Sequence, residues 1–260
     1  ADIDSSLQYF CEEVSHSHKV VLTGECADEV FGGYPWFHRE EMLNSGTFPW
    51  TPSLTPRKVL LKDNLVKSLH MDEYVKKIYD RSVSEINVLP SENEIETNRR
   101  RIGYLNIRFF MQTLLNRMDR TSMFSGLEAR VPFADRKLVD YVFNIPWEMK
   151  AKDGLVKNIL RQASKGLLPD EILFRRKSPY PKTYNPYYEN LLAKRLKEVL
   201  SDSASPLHSL LDLKQVTQFL DNPKDYGAPW YGQLMAGPQM IAYLLQIEYF
   251  LRKYNVSIRI

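Results

Sequence analysis

The sequence predicts an α/β fold that is strongly helix-rich, with most of its parallel sheet lying before residue 1. One stretch has the pattern of a buried strand, the apolar run Val20–Leu22 between polar flanks. Most of the remaining chain places apolar residues at helical spacing. Because one strand cannot make a sheet, these 260 residues, 43% of them hydrophobic, are expected to be the later part of a larger domain.

Composition excludes several classes of function. The net charge of +3 and the lack of a long basic tract argue against nucleic-acid binding, and Arg99–Arg101 is expected on a solvated helix face. No apolar run is long enough to span a membrane. Cys11 and Cys26 make no disulfide framework, which predicts a reducing, cytoplasmic location. The five histidines are scattered, so no metal site built by the protein alone is expected.

The helices follow from apolar periodicity and from capping residues. The first helix is expected to have Asp4 or Ser5 as N-cap and Leu7, Phe10, Cys11 and Val14 on one face. A densely apolar helix is expected from Ile102 to Met118, and Asp135 is expected to cap a helix over Leu138–Phe143. Further helices are predicted over residues 60–70, 71–86, 157–168, 191–200, 206–220 and 238–254, and a loop over residues 87–94. Aromatic residues near Tyr226, Trp230 and Tyr231 are expected to pack among the C-terminal helices.

The strand leads into an acidic turn. Gly24 breaks the apolar run, and Glu25, Asp28 and Glu29 follow before Val30. This order places three carboxylates beyond the carboxyl end of a strand, where open α/β sheets bind ligands. Carboxylates in a first helical turn also stabilise the helix dipole, so the acids alone leave a purely structural interpretation open.

The whole string resembles a family signature. TGECADEVFGGY, residues 23–34, is similar to the SGEGADE-FGGY motif of the asparagine synthetase family. Residues 116–135, with Ala134 where leucine is usual, resemble its RxDRxSM…LEARVPFLD segment. Residues 172–180 resemble its LP..I..R.K.(P)F segment, with Tyr180 near the usual aromatic position. Three motifs in the right order extend the resemblance over nearly the whole chain.

The resemblance implies a fold and an activity. Residues 1–260 would be the later part of an adenine-nucleotide α-hydrolase-like (ATP pyrophosphatase) synthetase domain, without its SGGxDS phosphate loop and without the glutaminase domain that precedes it. Asp4-Ser5-Ser6 lacks the glycines that would hold phosphate. The implied reaction is ATP-dependent activation of aspartate to β-aspartyl-AMP, followed by attack of ammonia from the glutaminase domain to give asparagine.

The resemblance also gives roles to residues. Thr23 and Gly24 would contact ATP, and Glu25 would accept a proton during amide formation. Asp28 would hold Mg²⁺ on the pyrophosphate oxygens, and Lys177 would stabilise the transferring phosphoryl group.

Four other positions are expected to support this site. Glu29 would support the turn, and Cys26, where the family commonly has glycine, would be tolerated at negative φ. Glu128 and Arg130 are expected to be a buried pair lining the site, because buried charges must be paired.

Alternative functions remain open from sequence alone. The same motifs serve other carboxylate–amine ligases, such as β-lactam synthetases. A catalytically inactive helical interaction module is a second alternative, and an unrelated acidic-loop enzyme is a third. The sequence does not fix the oligomeric state, and a homodimer is compatible with it.

Overall fold

The computed structural model describes residues 2–178, 185–223, 230–232 and 235–259. The chain divides into two compact units, each considered through its described residues. The sheet unit comprises Asp4–Pro49 and Tyr79–Ser178. The helical unit comprises Ala1–Ile3, Trp50–Ile78 and Pro179–Ile260.

Helices dominate the described chain. The α-helices are α1 Asp2–Ser15, α2 Ala27–Phe31, α3 Glu40–Leu43, α4 Thr55–Lys58, α5 Asp63–Leu69, α6 Met71–Ser84, α7 Glu94–Leu105, α8 Gln112–Phe124, α9 Arg136–Phe143, α10 Trp147–Lys150, α11 Asn158–Ala163, α12 Asp170–Leu173, α13 Pro186–Ser201, α14 Leu207–Leu210, α15 Leu213–Asp221 and α16 Gly237–Lys253. The strands are β1 Val20–Leu22 and β2 Glu128–Arg130. Short 3₁₀ turns occupy Pro35–Phe37 and Pro132–Ala134, and a π-helical stretch, Asn106–Met111, joins α7 to α8. The prediction of a helix-rich α/β chain is confirmed at this level.

Strands β1 and β2 form a parallel pair. The register is Val20 with Glu128, Val21 with Ala129 and Leu22 with Arg130. Val21 packs towards a small apolar cluster of Leu7, Cys11 and Leu127. Val20 and Leu22, however, are 40% and 73% exposed, so the prediction of a buried strand is wrong for these two residues. Side chains alternate between the two faces of a strand, so Val20 and Leu22 lie on the face opposite to Val21 and its apolar cluster and stay exposed.

The core of the sheet unit fixes α2 firmly. Apolar side chains of α2 and of the residue before it pack against α9 and the π-helical stretch. The buried members of this core are Cys26, Ala27, Val30, Phe31, Met111 and Val142. Since α2 has only five residues, this packing rather than helix propensity holds it in place.

The predicted helix from Ile102 to Met118 is divided among the end of α7, the π-helical stretch and the first part of α8. α7 begins at a capping box in which Asn93 and Glu96 bond each other's backbone N–H groups. The π-helical stretch places Asn106 in the core, fully buried, where its Nδ2 donates to the carbonyl of Glu29 at 3.3 Å. Arg99 and Arg100 are half-buried, so the predicted solvated arginine face is wrong. Residues from other parts of the fold cover part of these arginine side chains.

Of the other predicted helix ends, some differ from the structure and one agrees with it. Helix α1 begins at Asp2, so Asp4 and Ser5 lie within it, and Phe10 is exposed. Asp135 caps α9 as predicted, accepting bonds from two backbone N–H groups. Helix α11 stops at Ala163, well short of residue 168, and Gly166 follows at a φ of +76°, which a right-handed helix cannot include.

The helical unit has its own apolar core. Its buried members are Leu60, Leu196, Leu207, Leu211, Val216, Leu220, Trp230, Met240, Ile241 and Leu244. The predicted helix over residues 206–220 is interrupted, because Leu211 bridges to Leu61 and Asp212 caps α15. Trp230 packs in this core as predicted, whereas Tyr226 lies outside the described residues. Among the helices that the structure describes, none has the length and apolar character needed to cross a membrane.

Candidate active site

The segment after β1 turns sharply before α2 begins. Thr23 continues the parallel pairing by donating its N–H to the carbonyl of Arg130 at 2.9 Å. Its Oγ1 then accepts the N–H of Glu25 at 3.2 Å. The chain leaves α2 through Gly32, which has a φ of +71°. These local bonds place Glu25 before α2 and Asp28 in its first turn.

Cys26 adopts the left-handed conformation, with a φ of +72°. A negative φ, the condition under which cysteine was expected to be tolerated here, is therefore not met. A non-glycine residue pays about 1–2 kcal/mol for this conformation, and burial of the Cys26 side chain in the core of the sheet unit offsets that cost. Burial also raises the pKa of the thiol to about 12, so the sulfur is neutral near pH 7.

Asp28 lies between two lysines. Its Oδ1 is 3.0 Å from Nζ of Lys157, and its Oδ2 is 3.3 Å from Nζ of Lys177. Lys177 also lies 3.9 Å from the centre of the Tyr34 ring and donates to the carbonyl of Gly33 at 3.4 Å. Burial lowers the pKa of Lys177, and Asp28 opposes that shift. The result is a carboxylate and two ammonium groups gathered at the amino end of α2.

Gly33 makes this arrangement possible. A Cβ atom at this position would lie 1.7 Å from Oδ1 of Asp28 and 2.7 Å from its Cγ. No side chain fits there unless the carboxylate moves. The last glycine of the signature is therefore required by the close approach of Asp28 to the backbone.

Glu25 pairs with a residue far along the sequence. Its Oε1 is 3.0 Å from Nη2 of Arg117, on α8, and both side chains are largely buried. Oε2 is buried and has no hydrogen-bond partner within the described chain. Burial raises the pKa of Glu25, while Arg117 acts in the opposite direction. One oxygen is thus held by a cation, and the other is left available to accept a proton.

Glu29 points into the protein interior. It is 3% exposed, and the Tyr34 hydroxyl donates to its Oε1 at 2.5 Å. Burial raises the pKa of Glu29, which the bond from Tyr34 opposes. With Asn106 bound to its backbone carbonyl, Glu29 fastens α2 to the interior.

The structure does not bring every predicted site residue into this cluster. Glu128 and Arg130 pair with each other at 2.7 Å, but both lie on β2 with side chains 56% and 60% exposed. The predicted pairing is observed and the predicted burial is wrong, since these side chains stand on an uncovered part of the sheet. Nothing lies within 4 Å of the Cβ position of Gly24, so that position is open. Tyr180 lies outside the described residues.

Two residues of the cluster were missed by sequence reasoning. Arg117 is part of the second motif, but no role for it followed from the pattern. The sequence pattern predicts Lys157 only as the first residue of a helix. It has a φ of +57° before α11, an uncommon conformation for lysine, and such conformations concentrate at functional sites. No sequence signal marks Lys157 as a partner of Asp28.

Within the described chain, no group of three or more His, Cys, Asp and Glu side chains has a geometry suited to a metal ion. Asp28 offers one carboxylate, which pairs with Lys157 and Lys177. Mg²⁺ commonly binds through one or two carboxylates together with substrate phosphates. A metal ion at Asp28 would therefore need phosphate oxygens of a substrate to complete its ligands.

Comparison with known proteins relates this chain to one family. The family model described as asparagine synthase matches residues 1–252. Glutamine-hydrolyzing asparagine synthetase 3 of Bacillus subtilis is 49% identical over 259 residues, which is 99% of this chain and 42% of that protein. Glutamine-hydrolyzing asparagine synthetase 1 of the same organism is 27% identical over 75% of this chain and 36% of its own length. The Rattus norvegicus asparagine synthetase is 45% identical over 67 residues, which is 25% of this chain and 12% of that protein.

The family model and the match to synthetase 3 each cover the acidic turn, α8 and Lys177 in one alignment. The chain spans less than half the length of the curated relatives it matches. The sequence motifs, the cluster around Asp28 and the family match over nearly all residues lead to one conclusion: this chain belongs to the asparagine synthase family.

Proposed function

We propose that this chain is the later part of a synthetase domain that converts aspartate to asparagine. ATP would activate the side-chain carboxylate of aspartate, giving β-aspartyl-AMP and pyrophosphate. Ammonia, released from glutamine by a separate N-terminal glutaminase domain, would then displace AMP. The observation that carries the proposal is Asp28 held between Lys157 and Lys177 beyond the end of β1. The relatives, which are glutamine-hydrolyzing asparagine synthetases, support the same reaction.

The lysine pair suits the phosphate end of this reaction. Adenylation breaks the bond between the α- and β-phosphates, so negative charge develops on the departing pyrophosphate. Lys157 and Lys177, which lie on either side of Asp28, would bind such oxygens, and ammonium groups fixed before the reaction stabilise developing charge without rearrangement. Asp28 would hold Mg²⁺ on the same phosphates. The chemistry that Mg²⁺ supplies when bound is further neutralisation of this charge.

Glu25 suits the amide-forming step. When ammonia attacks the acyl carbon, a C–N bond forms, the bond to AMP breaks, and the nitrogen must lose a proton. The free Oε2 of Glu25 can accept that proton, because Arg117 holds the other oxygen and favours the ionised form. A positioned general base contributes typically about 10²- to 10⁴-fold to a rate.

The remainder of the synthetase domain is part of the proposal. We infer that residues 1–260 are its later section, an ATP pyrophosphatase-type α/β domain whose phosphate loop and other strands lie elsewhere. The exposed side chains of Val20 and Leu22 support this, since the helices on the face of a larger parallel sheet would cover them. Thr23 and Gly24, at the end of β1, would face the nucleotide.

The test is aspartate-dependent exchange of labelled pyrophosphate into ATP, measured on the intact synthetase with Mg²⁺. We expect Lys177→Ala and Lys157→Ala each to reduce exchange strongly, whereas Lys197→Ala, an exposed lysine of the helical unit that pairs with Asp221, leaves it unchanged. Unchanged exchange in both site variants would remove the lysine pair from the mechanism.

A second arm separates the two half-reactions. Glu25→Gln should retain pyrophosphate exchange while asparagine formation from ammonia falls by at least about 10²-fold. Equal loss of both activities would contradict the role of Glu25 as base. Exchange supported by another carboxylate but not by aspartate would favour a different carboxylate–amine ligase.

A further inference from the structure

A cavity in the sheet unit is lined by residues of α2, α7 and α10. It has a volume of about 200 Å³. A single water needs roughly 10–15 Å³ on this scale, so the cavity has room for a small organic molecule. Its wall includes the three aromatic side chains Phe37, Phe143 and Trp147. The lysine pair on Asp28 is not part of this wall.

The chemistry of the cavity centres on Lys150. This side chain lines the cavity at the end of α10 and is only 9% exposed. Its Nζ donates to the carbonyl of Phe143 at 3.2 Å, which uses one of three donors. No carboxylate of the described residues forms an ion pair with it. A buried ammonium without a counter-charge is costly, and its pKa is correspondingly lowered to about 8.

The other charged groups in the wall do not compensate Lys150. These charged groups are two arginines, Arg99 and Arg100, and three glutamates, Glu29, Glu92 and Glu96. Each glutamate already has a partner other than Lys150. Glu92 binds Arg100 at 2.5 Å, Glu29 accepts the Tyr34 hydroxyl, and Glu96 completes the capping box of α7. The charged neighbour that affects Lys150 is Arg100, which repels a proton from it.

Arg99 adds a second cation against an apolar surface. Its guanidinium lies 4.7 Å from the centre of the Trp147 ring, and Trp147 in turn stacks on Phe37 at 5.7 Å. Its Nε donates to the carbonyl of Phe37 at 3.4 Å. Burial lowers the pKa of Arg99 as well, with Glu96 opposing the shift. The cavity thus combines flat apolar walls with two incompletely neutralised cations.

We propose that this cavity is a binding site for a small organic anion, whose carboxylate or phosphate group pairs with Lys150 and whose apolar body packs on Phe143 and Trp147. The site is separate from the proposed catalytic cluster. The two share α2, because Glu29, Val30 and Gly32 form part of the cavity wall. Its occupancy can be tested without any assay of amide formation.

The experiment is calorimetric titration of the intact protein with benzoate, benzyl alcohol, benzylamine and inorganic phosphate. The first three share a ring and differ in charge, and phosphate tests the anionic group alone. We expect benzoate to bind more tightly than benzyl alcohol and benzylamine not to bind. Lys150→Met, which keeps the length of the side chain, should weaken benzoate by about tenfold or more, the usual effect of losing a charged hydrogen bond. It should leave benzyl alcohol unchanged.

Lys152→Met is the matched control, because Lys152 is exposed and outside the cavity wall. Melting temperatures of both variants show whether the fold is retained. The preference for an anion is overturned if benzoate and benzyl alcohol bind equally to the wild type, if benzylamine binds best, or if no probe binds. Equal weakening of benzoate by both lysine variants would also overturn it. Binding of phosphate but not benzoate would overturn the apolar part of the proposal.

Discussion

Replacing Gly33 with alanine tests whether Asp28 is held against the backbone as the structure shows. The added Cβ would lie 1.7 Å from Oδ1 of Asp28, whereas ordinary contacts begin near 3.4 Å. The carboxylate must therefore move by about 1.7 Å, the difference between these distances. Such a shift opens the ion pairs of 3.0 and 3.3 Å with Lys157 and Lys177.

The energetic cost can be estimated from these contacts. Overpacking a well-packed site costs about 1–3 kcal/mol, and breaking a buried ion pair costs about 3–5 kcal/mol. Asp28 and its lysine partners retain a fifth to a quarter of their side-chain exposure, so the lower end of the second range applies. Alanine also lowers the conformational entropy of the unfolded chain, which stabilises the folded protein by about 0.5 kcal/mol. The expected net loss in the free energy of unfolding is about 3.5–5.5 kcal/mol.

The assay is urea unfolding followed by circular dichroism. Gly24→Ala is the matched control, since nothing lies within 4 Å of its Cβ position, and it should unfold within about 0.5 kcal/mol of the wild type. Pyrophosphate exchange should fall in Gly33→Ala because Asp28 is displaced. The reasoning is refuted if Gly33→Ala is as stable as the Gly24 variant.

Three further predictions concern other contacts. Arg117→Gln removes the cation that opposes the raised pKa of Glu25, so the acid limb of the pH–rate profile for asparagine formation should move to higher pH. A limb that stays in place would contradict this pairing. The raised pKa of Glu29 means that its favourable contribution is present below its ordinary value of 4.5 and lost as pH rises through its folded-state pKa. Glu29→Gln should therefore raise the melting temperature more at pH 8 than at pH 4, and an equal change at both would contradict the burial effect. Asn93→Ala should lower the free energy of unfolding by about 1 kcal/mol in urea titration through loss of the capping box, and no change would mean that α7 does not depend on this cap.

Local patterns predicted the features that depend on neighbouring residues. The strand at Val20–Leu22 and the cap at Asp135 were found where the sequence placed them, and the predicted turn after the strand lies at Glu25 and Cys26 rather than at Gly24. Each depends on hydrogen bonds or backbone preferences within a few residues. The first motif likewise located Asp28 correctly in the first turn of α2.

The same patterns were less informative about burial. Leu22 is apolar and exposed, whereas Arg100 is charged and largely covered through its pairing with Glu92. Glu128 and Arg130 pair as predicted, but on an open part of the sheet. Burial depends on which other segments cover a residue, and periodicity along one element does not contain that information.

The sequence by itself determined the helix-rich α/β class, the order of the motifs and the acidic turn that follows β1. The tertiary structure alone decided which side chains meet there. Glu25 and Arg117 are 92 positions apart, and Lys157 and Lys177 reach Asp28 from separate segments much further along the chain. These contacts form because packing of α2 against α9 and the π-helical stretch fixes the backbone, and an electrostatic pairing at such separation leaves no periodic trace in the sequence.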